Sequence, residues 1–210
     1  MTMKMTRRTM RSLCATLVMM LVGLVSASAE EKTFEVDPGQ TTVSFTLGDV
    51  LHTVHGTFKL KRGTIHFDDA TGQASGELVV DATSGDSGSK ARDGKMNKEI
   101  LESQKFPEIV FTPQRFKGTL TPSGRSHLDV EGMFRIHGEA HPMTLAIEAE
   151  FGSGTTADTS FDVPYVKWGM KNPSTFILRV NDKVQISIHA VARAFVANQA
   201  KPAVQSGTNQ

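Results

Sequence analysis

Hydrophobic and polar side chains alternate with a period of two over most of the stretch from Thr33 to Ala194, the pattern of strands with one buried face. Val43, Phe45 and Leu47 alternate with Thr42, Ser44 and Thr46, and Phe58 and Leu60 with Thr57, Lys59 and Lys61. Ile65 and Phe67 follow Gly63, then come Leu78 and Val80, and Ile109 and Phe111. Leu128, Val130, Phe134 and Ile136 share one parity, as do Leu145, Ile147, Ala149 and Phe151, and then Val184, Ile186, Ile188 and Ala190. The pattern predicts about eight strands. One stretch, Ser89 to Leu101, has the length and the helix formers for a helix, with Met96 and Ile100 four apart on one face and Ser87 or Ser89 as N-cap.

Short segments rich in turn residues separate the strands, among them Asp37-Pro38-Gly39, Ala70-Thr71-Gly72, Pro122-Ser123-Gly124 and His137-Gly138. Connections this short join antiparallel neighbours, because a parallel pair needs a crossover of about a dozen residues or more. One-faced antiparallel strands in this number close into a barrel or stack as a sandwich, and alternation alone does not separate the two. Neither an internal repeat nor a domain-scale linker interrupts the pattern, so residues 30–197 read as one domain and the polar stretch 198–210 as a disordered tail.

Residues 1–29 read as a secretory signal: Lys4, Arg7, Arg8 and Arg11 precede an apolar run from Leu13 to Val25, and Ala27-Ser28-Ala29 supplies a cleavage site. The run is too short to span a bilayer as a helix. Cleavage near Ala29 predicts a periplasmic or secreted protein and removes four of the 23 basic side chains, leaving 19 against 22 acidic ones. That balance excludes nucleic-acid binding by bulk positive charge. The single cysteine, Cys14, lies inside the signal, so the exported chain is held by its core without disulfides.

Catalytic motifs are weak. Gly85-Asp86-Ser87-Gly88 copies the surroundings of a chymotrypsin-like serine, but that chemistry also needs a suitably placed histidine, aspartate and oxyanion hole. A Gly/Ser-rich loop ahead of the helix explains it better. No G-x-S-x-G elbow or phosphate loop is present. His52 with His55, and His137 with His141, have spacings that could chelate a metal, although two ligands apiece make surface and turn histidines the simpler reading. Lys59, Lys61 and Arg62 form one basic cluster and Arg92, Lys95 and Lys98 another. Trp168, the sole tryptophan, sits in an apolar loop from Val163 to Met170, as core or as the lid of a cavity.

Several ordered segments resemble the YceI-like family of secreted, lipocalin-like barrels that bind polyisoprenoid lipids. They are Phe34-Glu35-Val36-Asp37 with Val43-Ser44-Phe45, then Gly56-Thr57-Phe58, then Arg92-Asp93 ahead of Met96, and Phe106-Pro107-Glu108-Ile109-Val110-Phe111. Gly132 to Gly138 followed by His141-Pro142-Met143-Thr144-Leu145 completes the set. Two positions depart from the family pattern: Lys95 stands where a histidine is frequent, and Phe106 replaces a tyrosine. The resemblance implies an all-β fold, a single eight-stranded antiparallel barrel with one short helix, enclosing a hydrophobic tunnel. It further implies a non-catalytic protein without a cofactor, whose partner is an apolar isoprenoid lipid, a quinone or a polyprenyl phosphate, acquired through peripheral or transient membrane contact. The alternatives are a structural or stress-related barrel filled by its own side chains, and a histidine-dependent metal protein.

On this reading the tunnel wall comprises Phe45, Phe58, Phe67, Leu78, Phe111, Leu128, Phe134, Leu145, Ile147 and Ile186, which period two and register place on one face. Met96 and Ile100 cover one opening, Trp168 forms a lid, and Arg92, Lys95 and Lys98 stay near the rim.

Overall fold

The computed structural model describes residues 31–48, 53–152, 154–175 and 179–196. The signal and tail readings, Cys14 and His52 lie outside the described residues. Nine strands, β1 (Glu31–Val36), β2 (Thr42–Gly48), β3 (Thr53–Asp68), β4 (Gln73–Asp86), β5 (Glu108–Gly118), β6 (Gly124–Ile136), β7 (Glu139–Phe151), β8 (Thr155–Val163) and β9 (Val184–Val196), form one antiparallel sheet. The order β3-β2-β9-β8-β7-β6-β5-β4 returns to β3 through the β3–β4 pairing, so the sheet is a closed barrel.

The nine strands occupy eight positions. β1 pairs with the end of β3 (Glu31↔Asp68) and with β9 (Val36↔Ala192), and β2 continues in the same direction along the same neighbours (Val43↔Phe58, Thr42↔His189). The expected turn at Asp37 is present between β1 and β2, but the two strands it joins run on in one barrel position instead of lying side by side as antiparallel neighbours. The turn's polar groups are satisfied locally: the Asp37 N–H donates to the Val191 carbonyl at 2.8 Å, and the Asp37 carboxylate accepts from Gly39 N at 2.8 Å and Gln40 Nε2 at 2.7 Å. The Gln40 side chain, then the Gly39 amide, holds the Asp37 carboxyl below its ordinary value.

Burial follows the alternation. Along β6, Ser126, Leu128, Val130, Gly132, Phe134 and Ile136 are buried, while Arg125, His127, Asp129 and Arg135 are exposed. The β6–β7 hairpin closes through His137 and Gly138 at φ 52° and 83°, the doubly left-handed two-residue turn that matches strand twist. Gly56 is needed for a different reason: the Phe45 ring lies flat over it, and an added Cβ would stand 2.3 Å from the ring.

The helix lies between Ser89 and Leu101 as expected but changes winding. α1 spans Lys90–Lys95 and passes into a π-helical turn, Met96–Ile100, in which the Leu101 N–H donates to the Met96 carbonyl at 2.9 Å. Gly94 lies inside α1, where it contributes little helix preference, and the widened turn follows directly. Ser89 occupies the N-cap position with extended backbone but makes no side-chain cap bond. Asp93 fastens the helix start instead, accepting from both the backbone N–H and the hydroxyl of Ser87.

Candidate functional site

The barrel interior is not filled by its own side chains. Two apolar chambers, with volumes of about 160 and about 130 Å³, succeed one another along the axis and share Val80, Ile109, Phe134, Phe161 and Ile188 as a common waist. An apolar void of roughly 150 Å³ stays dry because its lining offers water no partners, and it is large enough to take up a small aromatic molecule. Two such voids meeting at a waist form an interrupted tunnel.

The chamber nearer the helix is walled by Phe45, Phe58, Phe134 and Ile186 and roofed by Met96 and Ile100. The deeper chamber is walled by Phe67, Leu78, Phe111, Leu128, Leu145 and Ile147, with Phe134 again at its upper limit. Twelve of the thirteen side chains expected around a tunnel therefore face these chambers. Trp168 does not. It stacks on His141 with ring centroids 4.1 Å apart and planes 3° from parallel, and reaches Phe134 at 5.9 Å. Toward the far end lies an aromatic cluster in which Phe67 meets Phe116 at 4.9 Å and Phe34 at 5.8 Å.

Charge enters the lining only at the helix end, through Arg92 and Lys95. Arg92 donates from Nε to Ser87 Oγ at 2.8 Å and from Nη2 to the Ser87 carbonyl at 2.8 Å. The nearby carboxylates are engaged elsewhere: Asp93 by Ser87, and Glu99 by Lys171 at 2.7 Å, a contact that holds the Glu99 carboxyl below its ordinary value. The other basic cluster is neutralised on the outer surface, Lys61 and Arg62 meeting Glu108 at 2.8 and 3.2 Å and Arg62 meeting Glu77 at 3.0 Å. Tyr165 and Met170, from the loop after β8, also line the upper chamber and were not singled out from sequence. Burial pushes the Tyr165 phenol up to about 12, and its hydroxyl donates to the Asn181 carbonyl at 2.6 Å, closing the loop on itself.

The candidate catalytic and metal groups are dispersed. Ser87, just past the end of β4, is held by Asp93 and Arg92, with no histidine in its hydrogen bonds. His55 meets Thr46 at 3.1 Å, His137 packs on Phe106, and His141 lies under Trp168. Among the described residues no group of three or more His, Cys, Asp or Glu side chains could hold a metal ion.

The sequence pattern of the YceI-like domain matches residues 34–192. The chain belongs to the YceI-like family. A UPF0312 protein of Vibrio parahaemolyticus is 28% identical over 149 residues, covering 69% of this chain and 76% of that protein. Among solved structures, Burkholderia cenocepacia BcnA superposes with a TM-score of 0.61 at 21% identity, over 75% of this chain and 99% of its own. A polyisoprenoid binding domain from Saccharophagus degradans, implicated in plant cell wall breakdown, gives 0.62 at 14% identity, over 77% and 98%. These likenesses establish a shared YceI-like fold, and the departures at Lys95 and Phe106 lie at the helix end of this chain's barrel.

Proposed function

We propose that this YceI-like barrel is a non-catalytic binding protein for a long-chain isoprenoid lipid, a quinone or a polyprenyl phosphate, acting in the periplasm or outside the cell after cleavage near Ala29. The observation that carries the reading is the pair of adjoining apolar chambers, whose lining is charged only at the helix end. A branched chain can thread the waist while its head group stays beside Arg92 and Lys95. The binding named for the Saccharophagus degradans neighbour supports the same class of ligand.

No polar anchor is required for substantial binding. Burial contributes about 0.8 kcal/mol per methylene, so a tail of about 20 carbons brings roughly 16 kcal/mol of gross driving force. The net is far smaller, because the chain is immobilised and must leave a bilayer in which it is already shielded from water. The unfilled chambers weigh against a structural barrel packed by its own side chains, and the dispersed histidines weigh against a metal protein.

The test is uptake from phospholipid vesicles carrying either an isoprenoid quinone or a polyprenyl phosphate, followed by separation of protein from vesicles. Stoichiometric transfer of either lipid is expected. Transfer of neither would refute the reading.

A further inference from the structure

The barrel wall is incomplete along one line. β6 and β7 pair from Gly124↔Phe151 to Ile136↔Glu139, and β8 and β9 pair from Thr155↔Ala192 to Val163↔Val184. Between β7 and β8, by contrast, pairing is confined to four positions, from Ile147↔Thr159 to Glu150↔Thr156. Toward the helix end the two strands face each other across a seam without a ladder among the described residues.

Backbone chemistry explains the seam. The Thr159 hydroxyl donates to the Ala146 carbonyl at 2.8 Å, so Ala146 presents its backbone toward β8. Alternate residues of a strand share that direction, so Thr144 and Pro142 point their backbones the same way. Pro142 has no N–H to give, and a partner strand on that side would lose a ladder bond there.

The seam is plugged by rings rather than by backbone. His141 stacks on Trp168, Trp168 reaches Phe134, and Phe134 meets Phe161 at 5.8 Å. Phe134 and Phe161 belong to the waist shared by both chambers, so this aromatic series leads from the seam to the middle of the tunnel. The plug is imperfect: His141 Nε2 is buried without a hydrogen-bond partner, and access to water would remove that penalty. Around the helix end the described residues are tied by the Tyr165 hydroxyl on the Asn181 carbonyl, by Asn181 N on the Gly48 carbonyl at 3.0 Å, and by Lys171 on Glu99.

We propose that the β7–β8 seam is the lateral portal through which the ligand's apolar chain enters and leaves, with Trp168 stacked on His141 as its latch. The proposal rests on the lipid-binding reading and specifies the route. A chain passing sideways slides between bilayer and tunnel without crossing water, and opening the seam breaks no ladder hydrogen bond.

The experiment introduces Thr144→Cys and Asp162→Cys on the two edges of the seam, in a Cys14→Ser background, and joins the thiols with a short bis-maleimide. The same variant capped with N-ethylmaleimide is the reference. Uptake of a fluorescent polyprenyl probe is followed from phosphatidylethanolamine/phosphatidylglycerol vesicles. Joining the edges is expected to slow uptake and release by about tenfold or more while leaving final occupancy unchanged, and Trp168→Ala to speed both. Joined protein that loads at the reference rate would overturn the portal, as would thiols that cannot be joined. Parent protein without the added cysteines that takes up no probe at all contradicts the binding reading itself, and the portal with it.

Discussion

Phe116 and Phe134 are equally shielded, each 7% exposed, yet they border different surroundings. Phe116 sits in the aromatic cluster toward the far end, whereas Phe134 stands at the waist with both chambers beside its ring. Truncating a phenylalanine to alanine in a close-packed core costs about 3–5 kcal/mol, as lost transfer energy plus the new void. Phe116→Ala should fall in that range. The Phe134 ring borders both chambers, so fewer dispersion contacts are lost, and Phe134→Ala should cost roughly 1–2 kcal/mol less. Urea unfolding of lipid-free protein, followed by circular dichroism, measures both. Refilling the chambers with lipid should narrow the difference, because the ring then gains neighbours to lose. If Phe134→Ala were as costly as Phe116→Ala in lipid-free protein, the waist would be solidly packed and the tunnel would not exist.

Three further outcomes follow from the same geometry. Replacing Arg92, Lys95 and Lys98 together by glutamine should weaken polyprenyl phosphate binding by about tenfold or more and leave quinone binding unchanged, since only the phosphate accepts charge-assisted bonds; equal affinities in vesicle competition would remove the anion site. Asp37, Glu99, Glu108 and Glu131 are all held below their ordinary values by hydrogen-bond donors, so the stability they contribute is complete above the unfolded carboxylate range and is lost as pH falls through it to the lowered folded values; the urea midpoint should therefore fall below about pH 4, less steeply in Gln40→Ala. Tyr165, the single tyrosine, is shifted the other way, so its contribution is full below pH 10 and declines toward about 12, and phenolate absorbance should rise near 12 in folded protein and near 10 in urea.

Period two carried most of the wall because a tunnel and a core demand the same thing of a strand: one face out of water. That is why Phe45, Leu128 and Ile147 were legible. β8 was not, since Thr155, Ala157 and Thr159 make most of its inward face polar or small and leave only Phe161 and Val163 apolar at its end; the first three line the deeper chamber. The turn at Asp37 was legible, but that it joins two strands sharing one barrel position was not, because only the pairing of both to β3 and β9 shows it. Trp168, Tyr165 and Met170 lie in an aperiodic loop, so no periodicity could place Trp168 on His141 or the other two in the upper chamber. Alternation is equally blind to the seam, whose visible mark in the sequence is Pro142 inside an otherwise regular strand.

The central claim, that the chambers hold an isoprenoid chain, is tested most directly by organic extraction and mass spectrometry of the protein purified from its native envelope. One lipid per chain, built of repeating five-carbon units, is expected, because dissociation of an apolar tail into water is opposed by the burial that retains it. Protein that emerges empty and acquires neither quinone nor polyprenyl phosphate on return to vesicles would contradict it.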